Sequence, residues 1–492
     1  MWAALLLAMA AQTADSAPTR VAPVPPDIVL FAQAASPDSE AAEAALAEIA
    51  AAWRDGYAAM IIDLARLMPP SHPGGADADL APEDDSDDAF EPSGFPGSGE
   101  PGRDSTGASA LAEAGSPVRR RLIRFLERQT GQRFGDDLDR WRRWLWSLPY
   151  EPHPDYAELK RGVYGRLDPR FRDFFPPGVE ATVRLDQIDW GGVGVDGIPR
   201  LDHPRHVRAA EARYLKDKHV VFGVFLGGEA RAYPQRILAW HELVQDTLGG
   251  EELAIVYCTL CGALIPYRAE LEGTTHRFRT SGLLYRSNKL LFDEQTKSLW
   301  SSIYGEPVVG PLVGSGARLA RLPVVTTTWG EWRTEHPDTT VLSLDTGFAR
   351  DYGEGAAYRD YFRSDEPMFA VPRTDARLPS KTEVLVLRDP PVAIPIRSLE
   401  THRLYAFEHA GRRYVVVTSP AGANRVYPAN DARFVEIGED GRLLDERGTR
   451  WRPTETALEP ESAEFPAAAR IEAHRVFWFA WYAHYPETRL LD

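Results

Sequence analysis

Cysteine is almost absent from this sequence: two residues in 492, Cys258 and Cys261, standing three apart. Such scarcity excludes a disulfide-stapled secreted scaffold and leaves the compartment to other signals. Positive charge is also in deficit, with 56 Lys and Arg against 72 Asp and Glu and a formal charge of -16. A chain so acidic repels phosphate backbones, and nucleic acid is not an expected partner. Long apolar runs are missing too. The longest at the start, Trp2 to Ala11, is about half of what a bilayer requires, and no transmembrane segment is expected. Followed by Ala14 and Ala17, that run matches the apolar part of a secretory signal over residues 1–17, although no Lys or Arg precedes it. With a signal the protein is periplasmic or secreted; without one it is cytoplasmic. P-loop, GxSxG, HExxH and strand-helix GxGxxG patterns are absent as well, so nucleotide-binding, hydrolase and zinc-protease assignments lack their anchors.

What is present is sufficient to fold. Hydrophobic residues reach 43%, and a chain of 492 residues exceeds what one core holds, so several units are expected. Residues 27–70 read as helical, with Leu46, Ile49, Trp53, Tyr57, Met60, Ile61 and Leu64 recurring every three or four positions. Residues 71–116 are acidic and rich in Gly, Pro and Ser, the composition of a disordered linker. A second helical segment follows over 117–150, with Arg119 to Arg121 on a solvated face. Residues 151–181 connect it to strand-like text.

That text divides into a first lobe, 182–345, and a second, 346–492. In the first, Val220 to Phe225 and Ala230 to Tyr233 flank Gly227-Gly228 as a hairpin does. A helix is expected from Pro234 to Leu248, then a strand ending at Tyr257, the CxxCG stretch Cys258 to Gly262, and a strand from Thr275 to Thr280 with His276, Phe278 and Thr280 on one face. Thr328 and Glu331 fit a capping box. The second lobe repeats the first. Trp329, Trp332, Pro337 and Thr339 return as Trp478, Trp481, Pro486 and Thr488; Asp293 before Trp300 returns as Asp445 before Trp451. In that register Cys258 falls on Thr418, Cys261 on Ala421 and Gly262 on Gly422. The expected fold is therefore α+β: a β-rich two-lobed core built by internal duplication, after an α-helical N-terminal region.

Three readings of the CxxCG stretch stand. Two thiolates three apart form half of a metal knuckle, completed by donors such as His241 and His276, with zinc, iron or copper as the ion. The same pair serves thiol-disulfide or sulfur chemistry without a metal, although no βαβ pattern of the thioredoxin kind surrounds it. Or the thiols are inert, in a non-catalytic ligand-binding or scaffold protein. Nearby, Arg286 is placed to hold a carboxylate or phosphate, Asp293 to orient a ligand or move a proton, and Glu242 to act as a base or to lie on a solvated helix face. A small-molecule or redox partner is expected, its identity open.

These residues carry a resemblance. Trp190-Gly191-Gly192, Asp196-Gly197-Ile198-Pro199, Gly228 to Pro234, Trp240-His241-Glu242, the CxxCG stretch, Ser281 to Tyr285, Ser298-Leu299-Trp300 and His336 to Thr339 occur in order. Residues 182–492 so resemble the prokaryotic family catalogued as domain of unknown function 3179. Thr259 stands where members often have proline, and Gln245 where they often have asparagine. The resemblance implies a fold unit and a site at the cysteines, and no particular reaction. The helical stretches before residue 150 are similar to helical-repeat modules.

Overall fold

The computed structural model describes residues 25–68 and 117–492, so the expected signal over 1–17 and linker over 71–116 lie outside the described residues. Helices Ile28–Ala34, Ser39–Ala51, Tyr57–Leu67, Pro117–Thr130, Leu138–Trp146 and Tyr156–Tyr164 come first. Asp27, Asp38 and Asp137 each accept from first-turn amides, satisfying donors that a helix start leaves unpaired. The second helical segment is two helices, broken where Gly131 turns to a φ of 72°. Arg119 and Arg121, expected on a solvated face, are buried. Arg119 pairs with Asp136 and Arg121 donates to the Ala34 carbonyl, so the basic turn ties helices together. The connecting segment itself carries the Tyr156–Tyr164 helix. Among the described residues no helix is long and apolar enough to cross a membrane.

Asp63, on Tyr57–Leu67, organises this region. It accepts from Lys160 at 2.9 Å, Arg142 at 3.1 Å and the Tyr156 hydroxyl at 2.7 Å, all buried. Arg142 also holds Asp189 at 2.5 Å, and Lys160 the Ile188 carbonyl at 2.7 Å. Ile188 and Asp189 belong to the strand Ile188–Trp190, which pairs antiparallel with Phe278–Tyr285. The helical region is thereby joined by buried charge to the sheet whose Arg286-Ser287 turn lies against the candidate site.

The remaining chain is β-rich and duplicated. Val325–Thr328, Val220–Leu226 and Glu229–Pro234 lie antiparallel in that order, with Thr340–Leu342 parallel beside the last. His474–Phe477, Glu383–Leu387, Val392–Pro395 and Arg489–Leu490 repeat the order and every direction. Trp332 donates to Thr339 at 2.9 Å, and Trp481 to Thr488 at the same distance. Asp293 and Asp445 each accept from the indole of the tryptophan that follows, Trp300 and Trp451. Chance similarity of two tryptophan-rich helices does not produce matched sheets and matched indole bonds, and the α+β duplicated core stands.

Three local expectations change. The helix from Pro234 stops at His241, because Glu242 turns left-handed with φ 56° and Leu243–Leu248 pairs residue for residue with Glu251–Cys258. Sheet hydrogen bonds with a long partner outweigh a weak helical pattern. The strand expected from Thr275 is split, leaving His276 between Thr274–Thr275 and Phe278–Tyr285. The capping box is half formed: Thr328 accepts from Glu331 N at 3.4 Å, but the Glu331 carboxylate goes to the Thr327 hydroxyl and the Ala421 amide.

One apolar core crosses both halves. Cys258, Cys261 and Trp300 of the first pack with Val384, Val476, Phe477 and Trp481 of the second. Below it, the Asp63 network makes a direct prediction. Asp63→Ala leaves Arg142 and Lys160 buried without their shared carboxylate and is expected to cost about 3 kcal/mol or more. Denaturant unfolding checks this; a loss under about 1 kcal/mol would show that the cations are satisfied without Asp63.

Candidate active site

Cys258 ends the strand Glu251–Cys258, the 3-10 turn Thr259–Cys261 follows, and Ala263–Arg268 returns antiparallel with Cys258 opposite Ala263. So tight a reversal needs Gly262, whose φ is 63° and whose missing Cβ would sit 2.9 Å from the Phe477 ring. The turn brings the two sulfurs to 2.6 Å as buried free thiols.

A second hairpin presses on them. Tyr285 pairs with Asn288, so Arg286 and Ser287 form a two-residue turn with φ 51° and 61°. Asn-Gly usually occupies such turns; here an arginine and a serine hold the strained conformation. The turn delivers three groups to the sulfurs: Asn288 Nδ2 donates to Cys261 Sγ at 3.1 Å, the Ser287 carbonyl oxygen lies 3.6 Å from Cys261 Sγ, and the Lys289 amide donates to Cys258. The Lys289 ammonium donates to the Tyr257 carbonyl at 3.3 Å and forms a buried ion pair with Glu242. Glu242 Oε1 also accepts from Thr259 at 2.9 Å and Tyr358 at 3.1 Å.

These neighbours divide the thiols. Burial pushes Cys258 up, but the Cys261 S–H, the Lys289 charge and the Lys289 amide outweigh burial and Glu242 and hold it below the ordinary thiol value. Cys261 is driven far up by burial and then by the Cys258 sulfur, against the Asn288 amide. Of the two, Cys258 is the sulfur whose thiolate form its neighbours favour, and Cys261 the one held as a thiol. Geometry makes the same division. Cys258, Glu242, Thr259 and Lys289 lie on the wall of a cleft whose inner cavity measures about 40 Å³, and Cys261 lies behind that wall. The rim is half-buried Gly191, Val193, Ile198, Met368 and Phe369.

The expected ligand set does not assemble. His241 is buried with both ring nitrogens used: Nδ1–H donates to the Pro199 carbonyl at 2.8 Å, and Nε2 accepts from the Tyr352 hydroxyl at 2.5 Å. His276 sits between Phe278 and Trp300, its Nδ1 3.9 Å from Asp293. Among the described residues, no further histidine or carboxylate lies within 4.8 Å of both sulfurs. The donors that zinc, iron or copper would need beside Cys258 and Cys261 are therefore not supplied by His241 and His276. The group that does gather, Glu335, His336 and Glu455, is already neutralised: Arg425 bridges both carboxylates and Arg470 pairs with Glu455.

Other candidates resolve as follows. Asp293 is a turn cap, accepting from Thr296 N, Thr296 Oγ1 and Trp300 Nε1, and Asp445 makes the corresponding bonds in the second half. Arg286 is spent on Gln187 and the Ala483 carbonyl, both at 2.8 Å. Glu242 lies on no solvated face; it is 3% exposed. Lys289, which the sequence reading passed over, is central. Its signal was a cation inside the apolar run Lys289 to Phe292, since a buried lysine requires a buried carboxylate. Tyr358 and Phe369, from the crossing segment 343–382, carried no local signal.

The register of the repeat also shifts by one at the cysteines. Leu243 pairs with Val256, and Leu404 with Val417, so Cys258 corresponds to Ser419 rather than Thr418. Gly262 and Gly422 still correspond because the second loop is one residue shorter, with Thr418 opposite Asn424 where Tyr257 is opposite Leu264. In the second half Arg403 replaces Glu242, Ser419 replaces Cys258 and Ala421 replaces Cys261.

A duplicated β-rich core with a buried dithiol in its first half, packed against the second, is the class of protein these observations define. Residues 195–488, more than half of the chain, match the family described as "Protein of unknown function (DUF3179)", and the chain belongs to that family. No curated protein and no solved structure matches it.

Buried neutral histidines set a pH dependence around this core. Burial holds His241 down to about 4 and His484 to about 3, each assisted by a nearby arginine and opposed by a backbone hydrogen bond. Each value lies below the ordinary value near 6.5, so the unfolded chain takes up protons first as pH falls. The stability these groups contribute is complete above about pH 6.5 and is lost on descending through the values given. Tm is expected to fall between about pH 7 and pH 5, with a shallower slope in His241→Gln. An equal slope in the variant would remove His241 as a cause.

Proposed function

We propose that this chain is a thiol redox protein whose Cys258 and Cys261 pass between a dithiol and an intramolecular disulfide. One observation carries the reading: the sulfurs lie 2.6 Å apart, and only Cys258 faces the cleft. Cys258 is the attacking sulfur, since the thiolate is the nucleophile and its neighbours favour that form. Its electron pair forms a bond to an electrophilic oxidant, whose leaving group departs with a pair. Cys261 then attacks Cys258 Sγ, the bond to the oxidant's remainder breaks toward that remainder, and the Cys261 proton is released. Two electrons have left the pair.

The surroundings support these roles. Lys289 stabilises the Cys258 thiolate electrostatically, and Glu242 fixes Lys289 from the opposite side. Asn288 holds Cys261 Sγ against its partner. The duplicated half keeps the indole bonds and the glycine turn while its counterparts Ser419 and Ala421 lack sulfur, which supports a chemical rather than a structural use of the pair.

Alkylation of the reduced protein tests the assignment. Iodoacetamide at neutral pH is expected to label Cys258 at least about tenfold faster than Cys261. Lys289→Met should move the Cys258 labelling profile to higher pH, and Cys261→Ser should leave Cys258 reactive while abolishing the intramolecular disulfide. A pair that stays reduced on prolonged exposure to diamide, hydrogen peroxide and glutathione disulfide alike would end the reading.

A further inference from the structure

The cleft above Cys258 is built for a narrow reactant. Its buried wall sets Cys258, Thr259, Lys289 and Glu242 among leucines, and its half-buried rim carries Phe369, Met368, Val193 and Ile198. The inner cavity of about 40 Å³ holds about three or four water-sized groups, since one water needs about 10–15 Å³. Cys258 is only 4% exposed, so a reactant meets its sulfur by entering this cavity. A disulfide carried on a peptide brings a methylene and a backbone on either side of the reacting sulfur, more than an inner cavity of this size takes.

We infer that the oxidant of Cys258 is hydrogen peroxide, or a hydroperoxide of similar slenderness, admitted by the size of the cleft. The inference rests on the redox reading above. Two oxygen atoms fit a cavity of this size, and Lys289 and Thr259 are among the residues that line it beside Cys258. Cys258 sulfur attacks one peroxide oxygen and the O–O bond breaks. Its electron pair leaves on the other oxygen, which takes a proton from the Lys289 ammonium and departs as water. Cys258 is then a sulfenic acid. Cys261 attacks that sulfur, the S–O bond breaks, and the departing hydroxide leaves as water with the Cys261 proton; Lys289 regains the proton that Cys258 gave up on ionising. In sum, two thiols and one peroxide become one disulfide and two waters.

Rapid-mixing kinetics on the reduced full chain, followed by mass spectrometry of the cysteine peptide, provide the test. Hydrogen peroxide is expected to join Cys258 to Cys261 at least about tenfold faster, in second-order rate, than glutathione disulfide does. Phe369→Ala, which widens the rim, should raise the glutathione disulfide rate several-fold. In Cys261→Ser, peroxide should leave Cys258 as a sulfenic acid, read as the gain of one oxygen on the intact protein by mass spectrometry. If glutathione disulfide reacts as fast as peroxide in the unaltered protein, or if only diamide and glutathione disulfide oxidise the pair, the peroxide assignment falls and the redox reading remains. If peroxide, glutathione disulfide and diamide all fail to join the sulfurs, the redox reading falls with it.

Discussion

The buried ion pair between Lys289 and Glu242 is the interaction on which the site depends. A lysine and a glutamate taken out of water each lose several kcal/mol of hydration, and the pair persists because further hydrogen bonds hold both of its ends. Glu242 receives Thr259 and Tyr358, and Lys289 the Tyr257 carbonyl. Each of these partners is also a fixed point of the local backbone: Tyr257 and Thr259 flank Cys258, and Glu242 ends the helix Gln235–His241 in a left-handed turn. The charge beside the sulfur is thus held by the same bonds that hold the sulfur.

Strain gathers in the same place. Glu242, Arg286, Ser287 and Tyr358 all adopt positive φ without being glycine, and each touches the thiols, the ion pair or the turn that positions them. Such conformations persist only where surrounding contacts over-determine them. Here the contacts come from both halves of the duplication and from the crossing segment: Arg286 bonds the Ala483 carbonyl, Phe477 closes on Gly262, and Tyr361 donates to the Leu260 carbonyl at 2.5 Å. The second half lacks sulfur chemistry of its own, yet it forms one wall of the core in which the dithiol sits.

Comparison of the two halves separates scaffold from site. The aspartate–indole and indole–threonine bonds recur with almost unchanged lengths, as does the reversal at Gly262 and Gly422, so these features belong to the fold. Glu242, Cys258 and Cys261 do not recur. A feature found in one copy and dispensable for the shared architecture in the other is a feature the fold does not need for its own stability.

Much of this could be read along the chain. The duplication, the α+β order and the CxxCG stretch are legible because tryptophan, proline and cysteine have few structural substitutes and leave a mark at fixed spacing. The helix expected through Leu248 gave way to a hairpin partner just past Gly249-Gly250, and the expected ligand set of His241 and His276 did not assemble because His241 is engaged by residues far along the chain. Leu243–Leu248 became a strand when Glu251–Cys258 lay beside it, and His241 lost its free nitrogens to Pro199 and to Tyr352, more than a hundred positions away. The sequence alone determined that two sulfurs would stand together on a tight turn, because three residues and a glycine close that loop locally. Which sulfur faces the cleft, and that Lys289 rather than a histidine accompanies it, only the tertiary structure decided, since long-range sheet pairing and burial select those neighbours.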